Sequence, residues 1–344
     1  SMTAALPSEA FSRPVASNAR DNWNAARYKP GDDGGHYESW FLRANDPAGR
    51  LAFWIRYTIF SPKGRPHDAV GELWAIYFDR TTGKIVSLKE DVPIQHCTFS
   101  TNHLNVQIGS AVLQDGRLRG RAGTNNRSIA WDLDYSGGQE PLLLLPEGMY
   151  DTKLPRAKVL VGQPLARFRG FLVIDGESIR IDNWVGSQNH NWGSRHTDRY
   201  AWGQVAGFDE APDAFLECST ARVRVGPFWS PWMSPVVLRL RGATLQWNGL
   251  VRAVRARGCY QGDHWYIETS GPCGTLQVTF EAHPADFASL VYANPPGGSK
   301  VCLNTKIARC SLTLERGGQR MDLHSSRAAF EILDDLPPGK AQPS

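Results

Sequence analysis

Turn signals interrupt this chain at short and regular intervals, and that rhythm constrains its fold more than any other feature. Turns containing Gly, Asn or Asp recur about every 8–12 residues, and the segments between them are rich in β-branched and aromatic residues. The pattern is clearest at residues 128–135, where Ile129, Trp131 and Leu133 fall on one face of an extended chain and Asp132 and Asp134 on the other. Alternation with a period of two is typical of a half-buried strand. The sequence therefore predicts an antiparallel all-β fold, either a barrel or a sandwich.

Helical periodicity is scarce by comparison. The best helical candidate is Leu154–Leu160, which is short. Val251–Arg257 is predicted to be one of the strands of the second half. Strands do not alternate with helices along the chain, so the pattern disfavours a Rossmann fold or a TIM barrel.

The length of 344 residues corresponds to roughly two domains of about 150 residues each. We expect the boundary between the apolar segment Pro141–Pro146 and the strand that starts near Ala166, with the two halves packed on each other. The expected division is an N-terminal extension at 1–35, a first β-domain at 36–160, a second β-domain at 161–335 and a C-terminal tail at 336–344.

Composition excludes several classes of protein. The chain has 38 basic and 34 acidic residues, a net charge of +4 and 41% hydrophobic residues, which excludes a disordered chain. No apolar stretch approaches the roughly 18 residues of a membrane-spanning helix. The densest basic patches show strand spacing, so we interpret them as solvated strand faces and not as a nucleic-acid surface: Arg117, Arg119, Arg121, Arg252, Arg255 and Arg257.

The cysteines and the N-terminal residues predict the cellular compartment. The chain has six Cys, and no CxxC motif occurs among them. Residues 1–20 lack the apolar core of a secretory signal. We therefore expect a cytoplasmic protein with free thiols.

One segment, residues 182–203, stands apart because it contains two His and three Trp but few aliphatic residues. In an extended conformation, His190 and Trp192 lie on the same side of the chain. An imidazole beside an indole suits a site for an apolar or cationic species, because the indole stabilises positive charge and the imidazole transfers a proton. The alternative is a long buried connection whose polar side chains satisfy backbone groups.

Carboxylates on aromatic strands are the other candidate acids. Burial of Glu38 would raise its pKa and make it a proton donor, whereas the alternative is an ion pair with Arg43 or Arg56. Asp132 and Asp134 lie opposite the aromatic face of their strand, so we expect them to be exposed.

These observations define a candidate site in an aromatic-lined cavity, since 12 Trp are a heavy aromatic load. The candidate catalytic residues are His190, Trp192, Asp198, Glu38 and Glu217. The candidate substrate-binding residues are Trp40, Trp74, Trp131, Asn189, Asn191, Tyr200 and Trp202. His190 and His196 lie six residues apart near Asp198, but no third metal ligand is evident. We expect no metal and no organic cofactor.

Two segments carry a family resemblance. Residues 35–41 (GHYESWF) and 188–193 (QNHNWG) resemble the AttH-like and carotenoid 1,2-hydratase (hydroxyneurosporene synthase) superfamily, to which tocopherol cyclases and some fungal Diels–Alderases look related. The resemblance implies two lipocalin-like antiparallel β-barrel halves packed together and an apolar isoprenoid or polyene substrate. It also implies a role for a His-x-Trp pair, which matches His190 and Trp192. Glu217 and Ser219 stand where the hydratases have Tyr and Asp, so the resemblance favours a related olefin or terpenoid reaction.

Three functions follow as alternatives. The first is acid-catalysed hydration or dehydration of an isoprenoid double bond, the second is cyclisation or a pericyclic reaction, and the third is binding of an apolar ligand without chemistry. The expected partner is an apolar small molecule, which peripheral contact with a membrane would supply. The sequence leaves the oligomeric state open.

Overall fold

The computed structural model describes residues 19–335, which form two antiparallel β-sheets. The strands of the first sheet are β1 (His36–Asn45), β2 (Leu51–Ser61), β3 (Val70–Asp79), β4 (Lys84–Pro93), β5 (Cys97–Phe99), β6 (Asn105–Ile108), β7 (Ala111–Gln114), β8 (Arg117–Gly123), β9 (Ser128–Ser136), β10 (Leu142–Leu143), β11 (Ala157–Ile174) and β12 (Glu177–Gly193). Their order is β4-β3-β2-β1-β12-β11-β9-β8-β7-β6-β5, and β10 pairs with β11.

The second sheet follows directly along the chain. Its strands are β13 (Arg199–Ala206), β14 (Phe215–Arg222), β17 (Val236–Leu240), β18 (Ala243–Trp247), β19 (Arg257–Gln261), β20 (His264–Gly271), β21 (Gly274–Glu281), β22 (Ala288–Ala293), β23 (Ser299–Arg316) and β24 (Gln319–Asp335). Their order is β18-β17-β14-β13-β24-β23-β21-β20-β19, and β22 pairs with β23. A separate hairpin consists of β15 (Arg224–Val225) and β16 (Phe228–Trp229).

The two sheets share one topology. In each, a four-strand meander is joined through its first strand to the last strand of a long hairpin, β11–β12 or β23–β24. Both hairpins contain register shifts, and such bulges bend a long strand. Each sheet encloses its own apolar core, with Trp40 and Trp131 in the first and Trp247 and Trp265 in the second. The expected all-β fold of two lipocalin-like barrels packed together is confirmed.

The barrels pack on each other through the outer faces of their central strands. Phe41, Trp54 and Trp74 of the first barrel contact Tyr292 and Trp202 of the second in one buried cluster. Strand β1 is buried on both faces, so its sequence shows no apolar–polar alternation. Side chains of β1 that point away from the first core therefore reach the interface between the barrels.

Several local predictions require correction. The predicted helix at Leu154–Leu160 is wrong, because strand β11 starts at Ala157. The predicted strand at Val251–Arg257 is wrong over most of its length, because Leu250–Arg255 is a short helix. Its apolar residues recur at a spacing of three to four positions, which suits a helix and not a strand.

The first sheet runs through β12 to Gly193, and the second starts at Arg199. The boundary expected near residue 160 therefore falls within the first sheet, at the start of β11. A helical segment at 19–24 and the following residues pack on the first barrel, where Trp40 Nε1 donates a hydrogen bond to the Asn24 carbonyl (2.9 Å). The remainder of the expected extension, residues 1–18, and the tail at 336–344 lie outside the described residues.

Asp132 and Asp134 are on the outer face of β9 and both pair with Arg117, as predicted for solvated strand faces. All six cysteines are free thiols. Within residues 19–335, no helix has the length and apolarity required to cross a membrane.

Candidate functional site

The pairing of β1 with β12 divides the candidate polar side chains between the two faces of the sheet. In this pair Trp40 lies opposite His190, and Glu38 lies opposite Trp192. Successive side chains of a strand point to opposite faces. Glu38, Trp40, His190 and Trp192 therefore face the first barrel and the segment that covers it, whereas Asn191 and its alternate neighbours face the second barrel.

Glu38 and His190 form a buried pair on the inner face. His190 Nε2 lies 2.6 Å from Glu38 Oε2, and His36 Nε2 lies 2.8 Å from Glu38 Oε1. The backbone N–H of Arg27 donates to both carboxylate oxygens at 2.9 and 3.0 Å. On its other side, His190 Nδ1 donates to the Trp23 carbonyl at 2.7 Å. The pair therefore ties the segment at residues 23–27 to the barrel.

The hydrogen-bond partners define the protonation of this pair. Burial alone raises the pKa of Glu38, but hydrogen bonds and charge from His190 and His36 outweigh it and lower the pKa to about 2. The Trp23 carbonyl and the Glu38 carboxylate are both acceptors, so a proton on either ring nitrogen of His190 has a partner, and a charged ring would use both. Burial opposes this charge and lowers the pKa of His190. The ring stacks on Trp40 at 4.8 Å between centroids and 7° between planes, an arrangement that favours a cation.

Two expectations about Glu38 are therefore wrong. Its pKa is lowered and not raised, because three protein groups, the rings of His190 and His36 and the Arg27 backbone N–H, donate hydrogen bonds to its carboxylate. It also has no ion pair with Arg43 or Arg56, because both arginines lie on the opposite face of the sheet, toward the second barrel.

A cavity of about 120 Å³ lies between the two barrels. Both barrels supply aromatic side chains to its wall, namely Tyr37, Phe41, Trp54, Tyr200, Trp202 and Tyr292. Of the residues predicted to form the site, Asn191, Tyr200 and Trp202 line this cavity. The polar groups among its other lining residues include Arg56, Lys158, His196, Ser219 and Glu331.

The tyrosines provide neutral hydrogen-bond donors to the cavity. Burial raises the pKa of Tyr37, Tyr200 and Tyr292, so all three phenols remain protonated at neutral pH. Within residues 19–335, none of their hydroxyls forms a hydrogen bond to another protein group. These donors are available to a bound molecule.

His196 is a neutral imidazole in the same wall. Its Nε2 lies 3.1 Å from the Ala293 carbonyl, so Nε2 carries the proton and Nδ1 keeps its lone pair. Burial and the charge of Arg56 lower its pKa to about 3. The ring stacks on Tyr37 at 4.0 Å. His196 thus offers a proton acceptor to the cavity.

Glu217 lies directly behind the cavity wall. Its Oε2 accepts from Trp202 Nε1 at 2.9 Å, and its Oε1 accepts from Gln204 Nε2 at 3.0 Å. Burial raises the pKa of Glu217 to about 8 despite these hydrogen bonds and the charge of Arg43. Ser219, two residues along the same face of β14, lines the cavity. A protonated carboxylic acid therefore stands next to the cavity at neutral pH.

A buried polar network fixes the orientation of the Gln204 amide. Arg43 Nε donates to Gln204 Oε1 at 2.8 Å, and the Ser187 hydroxyl donates to the same oxygen at 2.6 Å. Gln204 Nε2 must then point the other way, where it donates to Glu217 and to Asn189 Oδ1 (2.9 Å). Asn189 therefore belongs to the support of Glu217 and does not line the cavity.

The remaining predicted residues lie elsewhere. Asp198 pairs with Arg195 at 2.7 Å and accepts from the Arg224 backbone N–H at 2.7 Å, so its carboxylate is engaged. Trp131 lies in the first core, where its Nε1 donates to the Tyr57 hydroxyl at 2.8 Å. Trp74 packs edge-on against Tyr292 at the interface.

Sequence reasoning missed several lining residues, namely Tyr37, Trp54, Arg56, Tyr292 and Glu331. His196 was considered only as a metal ligand, although it lies in the segment that the sequence singled out. Tyr37 lies within the segment 35–41 as well. Tyr292 and Glu331 carried no local signal, because only the packing of two barrels brings them to β1.

Comparisons with known proteins agree with this fold. No family model matches the chain. Two curated relatives are the uncharacterized proteins MT0513 and Rv0493c of Mycobacterium tuberculosis strains CDC 1551 / Oshkosh and ATCC 25618 / H37Rv. Each is 26% identical over 289 residues, which are 83% of this chain and 82% of the relative.

Solved structures show the same architecture. AttH (NE1406) from Nitrosomonas europaea superposes with a TM-score of 0.58 at 14% identity, covering 90% of this chain and 97% of that chain. CghA bound to Sch210972 superposes with a TM-score of 0.53 at 13% identity, covering 92% and 96%. The chain thus has the fold of AttH and CghA, which confirms the resemblance predicted from residues 35–41 and 188–193 at the level of the fold.

Proposed function

We propose that this protein is a cofactor-independent enzyme that adds water to, or removes water from, a carbon–carbon double bond of an apolar isoprenoid substrate. The observation that carries the proposal is Glu217, a carboxyl group that stays protonated at neutral pH behind an aromatic cavity. The reaction takes place between the barrels, and Glu217, one of the five candidate catalytic residues, acts as the acid.

In the hydration direction, the Glu217 carboxyl protonates one alkene carbon of a substrate that reaches between Trp202 and Ser219. Positive charge then develops on the more substituted neighbouring carbon. The faces of Trp202 and Trp54 lower the energy of this cation, each by roughly 0.5–2 kcal/mol when water is excluded. Proton transfer by a positioned side chain contributes a further factor of about 10²–10⁴ in rate.

A water molecule between Asn191 and His196 completes the addition. Its oxygen forms the new bond to the cationic carbon, and His196 Nδ1 accepts the proton that this oxygen loses. Return of that proton to the Glu217 carboxylate through the cavity restores the starting state. Dehydration follows the same steps in reverse, with the proton delivered to the hydroxyl that leaves.

His190 and Glu38 act in this proposal as positioning residues. Both are fully buried on the far face of β1 and β12, and their polar atoms are engaged by protein groups. They hold the two strands that present Tyr37 and Asn191 to the cavity.

Product mass separates the three candidate functions. We expect that incubation with a panel of terpenoid olefins and tertiary terpenoid alcohols yields products that differ from substrate by one water, measured by mass spectrometry. A product of unchanged mass would assign cyclisation instead. Ligand binding without any product across the panel, including the lipids that copurify with the protein, would assign a carrier and contradict the enzyme proposal.

A further inference from the structure

Several elements of the second barrel meet at one end of its sheet. Strand β14 ends at Arg222, its antiparallel neighbour β17 begins at Val236, and β18 ends at Trp247. Antiparallel pairing places these three strand ends at the same end of the sheet. The hairpin β15–β16 and the helix Leu250–Arg255 are inserted there. We call residues 222–232 and 250–255 the basic end.

Most of the exposed apolar side chains of the protein belong to the basic end. Eight large apolar side chains are exposed among residues 19–335, and five of them lie here: Val225, Phe228, Leu250, Val251 and Val254. Phe228, in the hairpin, is 74% exposed. Scattered exposed apolar residues are ordinary, but a concentration of this kind marks an interaction surface.

All charged side chains of the basic end are positive. Between Glu217 and Asp263 the sequence contains seven Arg and no acidic residue. Four of these arginines belong to the basic end, and none of the four forms an ion pair within the described part of the chain: Arg222, Arg224, Arg252 and Arg255. Asp198, which accepts from the Arg224 backbone N–H, forms its ion pair with Arg195, and Asp334 and Asp335 form theirs with Arg199 and Lys300.

Two of these arginines lie over indole rings. The Arg222 guanidinium lies between Trp229 and Trp232, at 4.1 and 4.7 Å from the ring centroids, and the Arg224 guanidinium lies 4.7 Å from Trp229. Stacking holds these cations at the surface without neutralising them. Trp229 pairs with Arg224 in the hairpin and directly follows the exposed Phe228.

We propose that the basic end docks onto the surface of an anionic lipid bilayer. Phe228 and the apolar residues of the helix enter the boundary between headgroups and acyl chains, and the unpaired arginines contact lipid phosphates. Tryptophan suits this boundary because its ring is apolar and its N–H is polar. Each arginine near an anionic surface adds to the attraction, and the apolar side chains distinguish this surface from one built for nucleic acid, which would leave them in water.

The basic end lies next to the cavity between the barrels. Ser219 and Ala221 line the cavity between the barrels, and Arg222, the next residue of β14, begins the basic end. Thr197 and Tyr200 also line the cavity at this edge. An apolar molecule leaving the bilayer beside the hairpin therefore meets the cavity without a long path through water. The docking itself does not depend on which reaction the cavity performs.

Vesicle sedimentation tests the proposal with the full chain. We expect binding to vesicles of phosphatidylcholine mixed with phosphatidylglycerol, little binding to phosphatidylcholine alone, and weaker binding as salt is raised. Phe228→Glu should weaken binding to the mixed vesicles by roughly tenfold or more, because it removes an apolar ring that enters the lipid and places a negative charge there instead.

Phe171→Glu is the matched control, since Phe171 is 51% exposed on β11 of the first barrel, outside the basic end. It should change vesicle binding by no more than about twofold. Thermal unfolding of both variants establishes that they fold. Equal binding of Phe228→Glu and the unaltered protein, or equal binding to the two lipid compositions, would overturn the proposal. Preferential binding of the unaltered protein to RNA over mixed vesicles would also overturn it.

Discussion

Replacing His190 by Ala is expected to lower the free energy of unfolding by about 3–5 kcal/mol, because the substitution removes one partner of a fully buried carboxylate–imidazole pair. The side chains of both residues are completely buried, and their hydrogen bond is 2.6 Å long. The substitution also removes the hydrogen bond to the Trp23 carbonyl and the stacked ring on Trp40. The segment at residues 23–27 should loosen first, since two of its contacts with the barrel involve this pair.

Urea unfolding measures this loss, and His324→Ala provides the control. His324 Nδ1 lies 2.6 Å from Glu210 Oε2, so the chemistry and the distance are the same, but the two side chains are 56% and 40% exposed. Removal of such a surface pair costs about 0–1 kcal/mol. Equal losses for His190→Ala and His324→Ala would show that burial of the Glu38 pair contributes nothing to stability.

The fold could be predicted from the sequence because strand signals are local. Alternation at residues 128–135 and the repeated turns indicate antiparallel strands without reference to the rest of the chain. The short helix at Leu250–Arg255 and the position of the boundary escaped this reasoning. The helix has fewer than two turns, and the boundary lies past a long hairpin whose strands β11 and β12 continue through the point where a linker was expected.

From the sequence, the candidate site could be located to a segment of the chain but not to individual side chains. The sequence singles out residues 188–193 as one unit, but His190 and Asn191 point to opposite faces of β12. In a strand with one solvated face, polarity reveals which side is inside. Here both faces are buried, one against the first core and one against the second barrel, so the sequence holds no such signal.

Glu217 illustrates how a site of this kind is assembled. Its raised pKa depends on burial under a second barrel, and the direction of its hydrogen bonds depends on a Gln204 amide oriented from the first barrel by Arg43 and Ser187. Arg43 and Ser187 are far from Glu217 along the chain, and only Gln204 is near it in sequence. The sequence could nominate this carboxylate, but the reason for its acidity comes from tertiary packing.

Glu217→Gln is expected to lower kcat by about 10²–10⁴, because the amide keeps the shape of a neutral carboxyl group but has no proton to transfer. In the unaltered protein, kcat of the proposed reaction should fall as the pH rises through about 8, where Glu217 loses its proton. Glu72→Gln is the matched control, since Glu72 is also a buried carboxylate that accepts from an indole, Trp74 Nε1 at 3.3 Å, and it does not line the cavity between the barrels. That variant should retain kcat within a few fold.

The pH dependence of stability provides a readout that needs no substrate. The pKa of Glu217 is raised from its ordinary value of 4.5 to about 8, so between these values the folded state binds one proton more than the unfolded state. Below about pH 6.5 the lowered pKa of His196 contributes a slope of the opposite sign, so the free energy of unfolding should fall by about 2 kcal/mol as the pH rises from about 6.5 to about 8, at about 1.4 kcal/mol per pKa unit. Glu217→Gln should remove most of this slope, whereas Glu72→Gln should keep it. The same slope in all three proteins would show that Glu217 is ionised in the folded state. Glu217 could then not act as the proposed acid.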